Sequence, residues 1–220
     1  MKAIILAAGR GTRLAPLTDH TPKPLLPVQG KPLIEWQIER LVEAGIVSIA
    51  INLHHLGDQI ESHLGDGSEW GAALTYSRET ELLETGGAMV KLLPYFEHAP
   101  FVVMNGDIWT DFDFRSLPAT PSDNNLAHLV LTPKPTWRRH GDFDFDGSRV
   151  TSQGEAVVYC GIAVVDPRAL EGRRVQPFSF RDIMFELMAA ARLGGQLHQG
   201  IWHDIGTLAQ YEAAQHEPIR

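Results

Sequence analysis

Several stretches of this chain have residue types and spacings suited to a phosphorylated ligand. The first is Gly9-Arg10-Gly11-Thr12-Arg13, followed at Pro22-Lys23-Pro24 by a second cation held between prolines. Glycines let a backbone turn sharply and leave its N–H groups facing an anion. Arg13 and Lys23 stand just after that turn. The second is Asn105-Gly106-Asp107, at the end of the apolar run Phe101-Val102-Val103-Met104. Ligands of open α/β sheets gather at the carboxyl ends of strands. A carboxylate there suits Mg2+, which takes one or two carboxylates and fills its other positions with phosphate oxygens and water. The plainer alternative for Asp107 is a turn or helix-capping aspartate. The third is Leu83-Glu84-Thr85-Gly86-Gly87-Ala88, where glycines ahead of a helix permit close approach of a base or ribose.

The elements that must position these residues alternate. Ala3 to Ala8 is apolar on both faces and reads as a buried strand. Leu33, Ile34, Trp36, Gln37, Ile38, Leu41 and Val42 keep helical spacing, and Gly45 ends that helix. Strands are expected over 48–53, 73–77 and 101–104, with helices over 56–64 and 87–93. This order indicates a layered α/β domain with a largely parallel sheet. The second half is less regular. Strands are expected over 126–131 and 156–165, and a long loop or poorly formed hairpin over 132–147. A helix over 180–193 follows Ser179 as N-cap, and a turn and terminal helix occupy 202–215.

The chain has 220 residues and a formal charge of −8. That length fits one domain with a substantial core. An acidic chain without basic blocks is a poor partner for nucleic acid or an anionic membrane, so local cations must hold any anionic substrate. The single cysteine, Cys160, lies among Val157, Val158, Ile162 and Val164 and reads as a core thiol. No stretch has the length to cross a membrane. A cytoplasmic setting is the expectation. The histidines form no zinc spacing, and the adjacent pair His54-His55 cannot present both rings to one ion.

The opening is neither of the commoner phosphate motifs. No Lys follows Gly11 at the P-loop spacing, and Leu14 stands where a dinucleotide fingerprint needs its third glycine. The full string, G-x-G-T-R-L, a spacer, then T-P-K-P-L-L-P, resembles the signature of the sugar-1-phosphate nucleotidyltransferases. The resemblance runs from Lys2 to Thr207 and implies a Rossmann-like three-layer α/β/α fold with a predominantly parallel mixed sheet. It implies a single domain over 1–220, with 1–110 mainly for the nucleotide and 111–220 mainly for the sugar. It implies that a nucleoside triphosphate lies on Leu6, Ala8, Gly9, Gly11 and Thr12. Arg13 would hold the leaving phosphates and Lys23 the α-phosphate and attacking group. Trp202-His203-Asp204-Ile205-Gly206-Thr207 resembles the family's late W-x-D-[IV]-G-T element, which supplies a second metal carboxylate. Asp107 and Asp204 would then share one Mg2+, while Thr207 can still cap the last helix.

Gly86 belongs by resemblance to the base pocket. Glu81, five residues earlier, stands where relatives place a base-reading side chain; its alternative is an exposed loop carboxylate. A carboxylate there could accept from uracil or from guanine. The E-K-P turn that meets the sugar phosphate in many relatives is missing. Asn105, Glu155 and Gly161 are the remaining candidates for the sugar. Arg138, Arg139 and His140 form a basic cluster in the preceding loop. The short chain, the L-E-T-G-G string and the lost turn resemble the members that use UTP and N-acetylmuramate 1-phosphate in peptidoglycan recycling. Members that use GTP and mannose 1-phosphate are the alternative. A catalytically silent nucleotide-sugar-binding homologue is the alternative of another class.

Overall fold

The computed structural model describes residues 1–122 and 124–217. In chain order its elements are β1 (Lys2–Leu6), β2 (Pro27–Val28), β3 (Lys31–Pro32), α1 (Leu33–Glu43), β4 (Ser48–Leu53), α2 (Gly57–Leu64), β5 (Ala73–Arg78), α3 (Glu84–Lys91), α4 (Leu93–Phe96), β6 (Phe101–Asn105), β7 (Ile108–Thr110), β8 (Ala127–Pro133), β9 (Phe143–Phe145), β10 (Val150–Gln153), β11 (Val157–Val165), α5 (Phe180–Ala189), β12 (Leu193–Leu197), β13 (Trp202–Asp204) and α6 (Leu208–His216). They form two compact units, each assembled from separated stretches of chain. No helix among the described residues is long and apolar enough to cross a membrane.

One unit takes Lys2–Leu82, Met104–Ser116 and the chain from Gly200 onward. Here β1 runs parallel to β4, and β4 parallel to β5, with Leu6 opposite Asn52 and Asn52 opposite Ser77. Parallel strands bring their carboxyl ends to one edge, so the loops after Leu6, Leu53 and Arg78 emerge together. On α1, Leu33, Ile34, Ile38 and Leu41 are fully buried. Each such side chain contributes roughly 1.5–3 kcal/mol on leaving water. Leu14, Leu26, Val28, Leu33, Trp109, Ile205 and Ala214 form one apolar cluster in this unit. Its members flank the residues of interest: Leu14 follows Arg13, Leu26 lies just past Lys23, Trp109 lies two residues beyond Asp107, and Ile205 follows Asp204.

The other unit takes Leu83–Val103 and Leu117–Gln199. Here β8 pairs antiparallel with β11 and parallel with β12. The strands β11, β9 and β10 continue the unit as antiparallel neighbours. The expected Rossmann-like α/β class, with a mixed and mostly parallel sheet, is the fold observed.

Local expectations needed correction at a few places. The helix expected over 180–193 stops at Ala189, because Ala191 takes a left-handed conformation at φ 53 and Arg192 N–H closes on the Leu187 carbonyl. That closure is commonly made by glycine. Leu193 then opens β12, a strand not anticipated because two of its five residues are glycine. The helix expected over 87–93 runs instead from Glu84 to Lys91, and Leu93 opens the short α4 with Pro94 in its first turn. Of 132–147, residues 134–142 form a loop and 143–145 form β9, whose hairpin partner β10 lies beyond the expected span; in the turn between them Asp146 Oδ1 accepts from the N–H groups of Ser148 and Arg149. The two short strands β7 and β13, which pair with each other, were not anticipated.

Candidate active site

The loop after β1 is held from below and open above. The Ala7 N–H donates to Asn52 Oδ1 at 2.7 Å, buried at the end of β4. Gly11 takes φ +66, and its carbonyl accepts from Leu14 N–H at 2.8 Å and Thr18 Oγ1 at 2.9 Å. A β-carbon on Gly11 would meet the Thr18 methyl at 2.9 Å and the Lys23 β-carbon at 3.3 Å, so both conformation and packing require glycine there. A β-carbon on Gly9 would meet nothing within 4 Å. The N–H groups of Gly9, Arg10 and Gly11 find no acceptor among the described residues. Unpaired N–H groups at a strand exit form a site for an anion.

Lys23 and Asp107 are joined. Lys23 Nζ donates to Asp107 Oδ2 at 2.7 Å, with side chains 11% and 28% exposed. The turn carrying Asp107 is pressed onto β1: Gly106 N–H donates to the Leu6 carbonyl at 2.9 Å, and a β-carbon on Gly106 would stand 2.6 Å from that oxygen. Only glycine permits this approach.

Asp204 reaches the same place from the far end of the sequence. In the β7–β13 ladder it lies opposite Ile108, and Ile205 N–H donates to the Asp107 carbonyl at 2.9 Å. The turn continues over Gly206, where a β-carbon would stand 3.0 and 3.1 Å from the two terminal nitrogens of Arg13. Thr207 caps α6, accepting from Gln210 N–H, as its capping role required. Beside Asp204, the His203 ring packs against Trp109; burial lowers its pKa despite Glu217 nearby. Arg13, Lys23, Asp107 and Asp204, from three separate stretches of sequence, thus belong to one neighbourhood. Among the described residues no three His, Cys, Asp or Glu side chains gather around a point. A cation held here would have two carboxylates and would draw its other oxygens from substrates and water, a set that fits Mg2+ better than zinc.

At the same edge, Glu81 is exposed, whereas Glu79 is 6% exposed and its Oε1 accepts from Asn52 Nδ2 at 2.8 Å. His54 Nδ1 lies 3.0 Å from the Glu79 carbonyl. Asn52 therefore links the Ala7 backbone to a buried carboxylate just past β5. Sequence reasoning passed over both residues. The available signal was their place at the ends of adjacent parallel strands.

Of the remaining sequence candidates, Gly86, Glu155 and Gly161 lie in the other unit, whereas Asn105 lies in this one. At Gly86 and Gly87 the close approach is made by the chain itself. A β-carbon on Gly86 would stand 2.2 Å from the Phe178 ring, and one on Gly87 2.2 Å from the Gln176 carbonyl. Glu155 is likewise engaged. It accepts from Lys134 Nζ at 2.8 Å and from Gly141 N–H at 3.0 Å, and His140 Nδ1 lies at 3.2 Å. The Lys134 ammonium, then the Gly141 amide and His140, hold its carboxyl down at about 2. Gly161 sits at φ +75 where the β11–β8 register shifts, so the bulge itself demands glycine. Asn105 ends β6, and Cys160 is fully buried with its thiol pKa pushed up by desolvation, as a core thiol should be.

Residues 2–155 match the family model described as nucleotidyl transferase. Over 224 residues the chain is 41% identical to the N-acetylmuramate alpha-1-phosphate uridylyltransferase of Neisseria meningitidis, covering 98% of this chain and 97% of that one. It is 33% identical over 218 residues to the mannose-1-phosphate guanylyltransferase catalytic subunit beta of Drosophila pseudoobscura, covering 93% of this chain but 59% of that one. A solved structure from Bacillus anthracis, assigned as a glucose-1-phosphate thymidylyltransferase and bound to sucrose, superposes with a TM-score of 0.85 at 25% identity, covering 98% of this chain and 94% of that one. The chain belongs to the nucleotidyl transferase family. It is a nucleotidyltransferase, as the opening motif implied.

Proposed function

We propose that this enzyme transfers the uridylyl group of UTP to N-acetylmuramate α-1-phosphate, releasing pyrophosphate and forming the UDP-sugar, in a Mg2+-dependent step of cytoplasmic peptidoglycan recycling. The observation that carries the transfer chemistry is the convergence of Arg13, Lys23, Asp107 and Asp204 beside the N–H groups of Gly9 to Gly11, which are unpaired among the described residues. The full-length similarity to the Neisseria enzyme supports the choice of base and sugar.

The reaction makes modest demands. A sugar 1-phosphate oxygen is ionised at neutral pH and needs no general base. It attacks the α-phosphorus in line as pyrophosphate departs, so catalysis consists of positioning two polyanions and stabilising charge. The Gly9–Thr12 backbone cradles the triphosphate, with Leu6 and Ala8 beneath it. Arg13 holds the departing phosphates. Lys23, already 2.7 Å from Asp107, meets the α-phosphate beside that carboxylate. Asp107 and Asp204 hold the Mg2+, which when bound neutralises phosphate charge in the transition state.

For the sugar, Glu155 serves as a staple for the 134–141 loop rather than as a free acceptor. Arg138 lies 3.5 Å from Asp142 and His140 faces Glu155. Arg139 is exposed and offers its guanidinium to the lactyl carboxylate of muramate. Pyrophosphate release measured over a matrix of triphosphates and sugar 1-phosphates tests the proposal. UTP with N-acetylmuramate 1-phosphate should give the highest kcat/KM, ahead of UTP with N-acetylglucosamine 1-phosphate. A higher value for GTP with mannose 1-phosphate would overturn the choice of substrates and keep the chemistry. Binding without pyrophosphate release would identify a silent homologue.

A further inference from the structure

The apolar face of α1 contains one residue that does not belong in a core. Gln37 lies among Leu33, Ile34, Ile38 and Leu41 and is 1% exposed. Its Nε2 donates to two backbone carbonyls, Asn105 O at 3.1 Å and Ile108 O at 2.8 Å. These carbonyls bracket Asp107. The Gln37 Oε1 is buried and has no partner among the described residues. A buried acceptor without a donor opposes folding. A leucine or methionine would complete the apolar face but would take this donor from the Asn105 and Ile108 carbonyls, so the amide serves the turn and not the packing.

From this geometry we infer that Gln37 is a positioning residue for the metal carboxylate. It spans the Asn105–Ile108 turn and fixes the direction in which Asp107 leaves the backbone. Three contacts then constrain this turn: Gly106 N–H on Leu6, Ile205 N–H on the Asp107 carbonyl, and the Gln37 amide across both flanks. The first two are backbone contacts, of which the Gly106 one also needs glycine for its close approach to Leu6. The third depends on one side chain. Outer residues that orient a metal ligand typically cost 10–100-fold in metal affinity or activity when removed.

The inference rests on the reading of Asp107 as a metal carboxylate, and the test separates the two. Mn2+ is titrated into the full-length protein with UTP and no sugar phosphate, and bound ion is read by electron paramagnetic resonance. Wild type, Gln37→Met, Gln37→Leu and Asp107→Asn are compared, alongside kcat, KM and melting temperature. Gln37→Met and Gln37→Leu remove both donors and the orphan acceptor at similar volume. They should stay folded but melt below the wild-type temperature, because the Asn105 and Ile108 carbonyls lose this donor. Their Mn2+ affinity and kcat should fall by about 10–100-fold, with KM for the sugar phosphate little changed. Wild-type Mn2+ affinity and kcat in these variants, with Asp107→Asn defective, would overturn the inference and leave the metal reading intact. Unfolding of both variants would make Gln37 a structural clamp and equally overturn it. Normal Mn2+ binding by Asp107→Asn would remove the metal reading and the inference together.

Discussion

The two regions that sequence motifs single out use their polar groups in opposite ways. Around Asp107, groups are arranged and left available: three successive N–H groups lack an acceptor among the described residues, and a partly exposed carboxylate is held by Lys23. Around Glu155 and Gly86, groups are consumed within the chain. Glu155 is taken by a lysine, a histidine and an amide, and the glycine faces are covered by Phe178 and Gln176. Transfer chemistry needs fixed, unsatisfied groups before substrate arrives. The second region instead spends its polar groups on its own packing and leaves Arg139 exposed in its loop. The contrast teaches that a motif glycine or carboxylate marks a binding group only where the fold leaves it unfilled.

Lys23 tests the first region through turnover. Lys23→Ala should lower kcat by about 100–1000-fold, the scale for losing one fixed charge-stabilising donor, with a smaller change in the KM for UTP. Steady-state kinetics decide it. An unchanged kcat with only a raised KM would assign Lys23 to ground-state binding.

A pair of alanine substitutions sets the two regions against each other. Gly87→Ala places a methyl group against the Gln176 carbonyl and should destabilise by about 1–3 kcal/mol in urea denaturation. Gly9→Ala enters open space at a residue without positive φ, so its stability should stay within about 0.5 kcal/mol of wild type. Its KM for UTP should nevertheless rise about tenfold, equivalent to about 1.4 kcal/mol of lost binding. Equal stability loss in both variants would erase the distinction between a filled and an open glycine.

Arg139 carries the smallest effect. An exposed ion pair contributes about 0–1 kcal/mol, so Arg139→Ala should lower kcat/KM for N-acetylmuramate 1-phosphate by at most about fivefold. The value for N-acetylglucosamine 1-phosphate, which lacks the lactyl carboxylate, should not change. An equal loss on both sugars would show that Arg139 does not read the carboxylate.

Much of the first region was legible in the sequence because its signals are local. The β1 run, the α1 periodicity, the T-P-K-P string and the Thr207 cap each declare themselves within a few residues. What escaped depends on distant contacts. The strands β7 and β13 have three residues each and exist only through pairing across the chain. Glu79 differs from Glu81 by its bond to Asn52, 27 residues away. Gly86 read as open because Phe178, which covers it, lies far along the sequence. The end of α5 was hidden for another reason: Ala191 makes a turn for which glycine is the usual mark.

The central claim is that Asp107 and Asp204, joined through the Ile205 N–H, hold one ion in one act of catalysis. The most direct measurement is pyrophosphate release at saturating Mg2+ by Asp107→Asn, Asp204→Asn and the double variant. Each single change should lower kcat by about two to four orders of magnitude, the scale of several kcal/mol of metal stabilisation. The double variant should be little worse than the weaker single one, because the second substitution removes a ligand from a site already lost. Near-normal turnover in either single variant, or losses that multiply in the double, would contradict a shared ion.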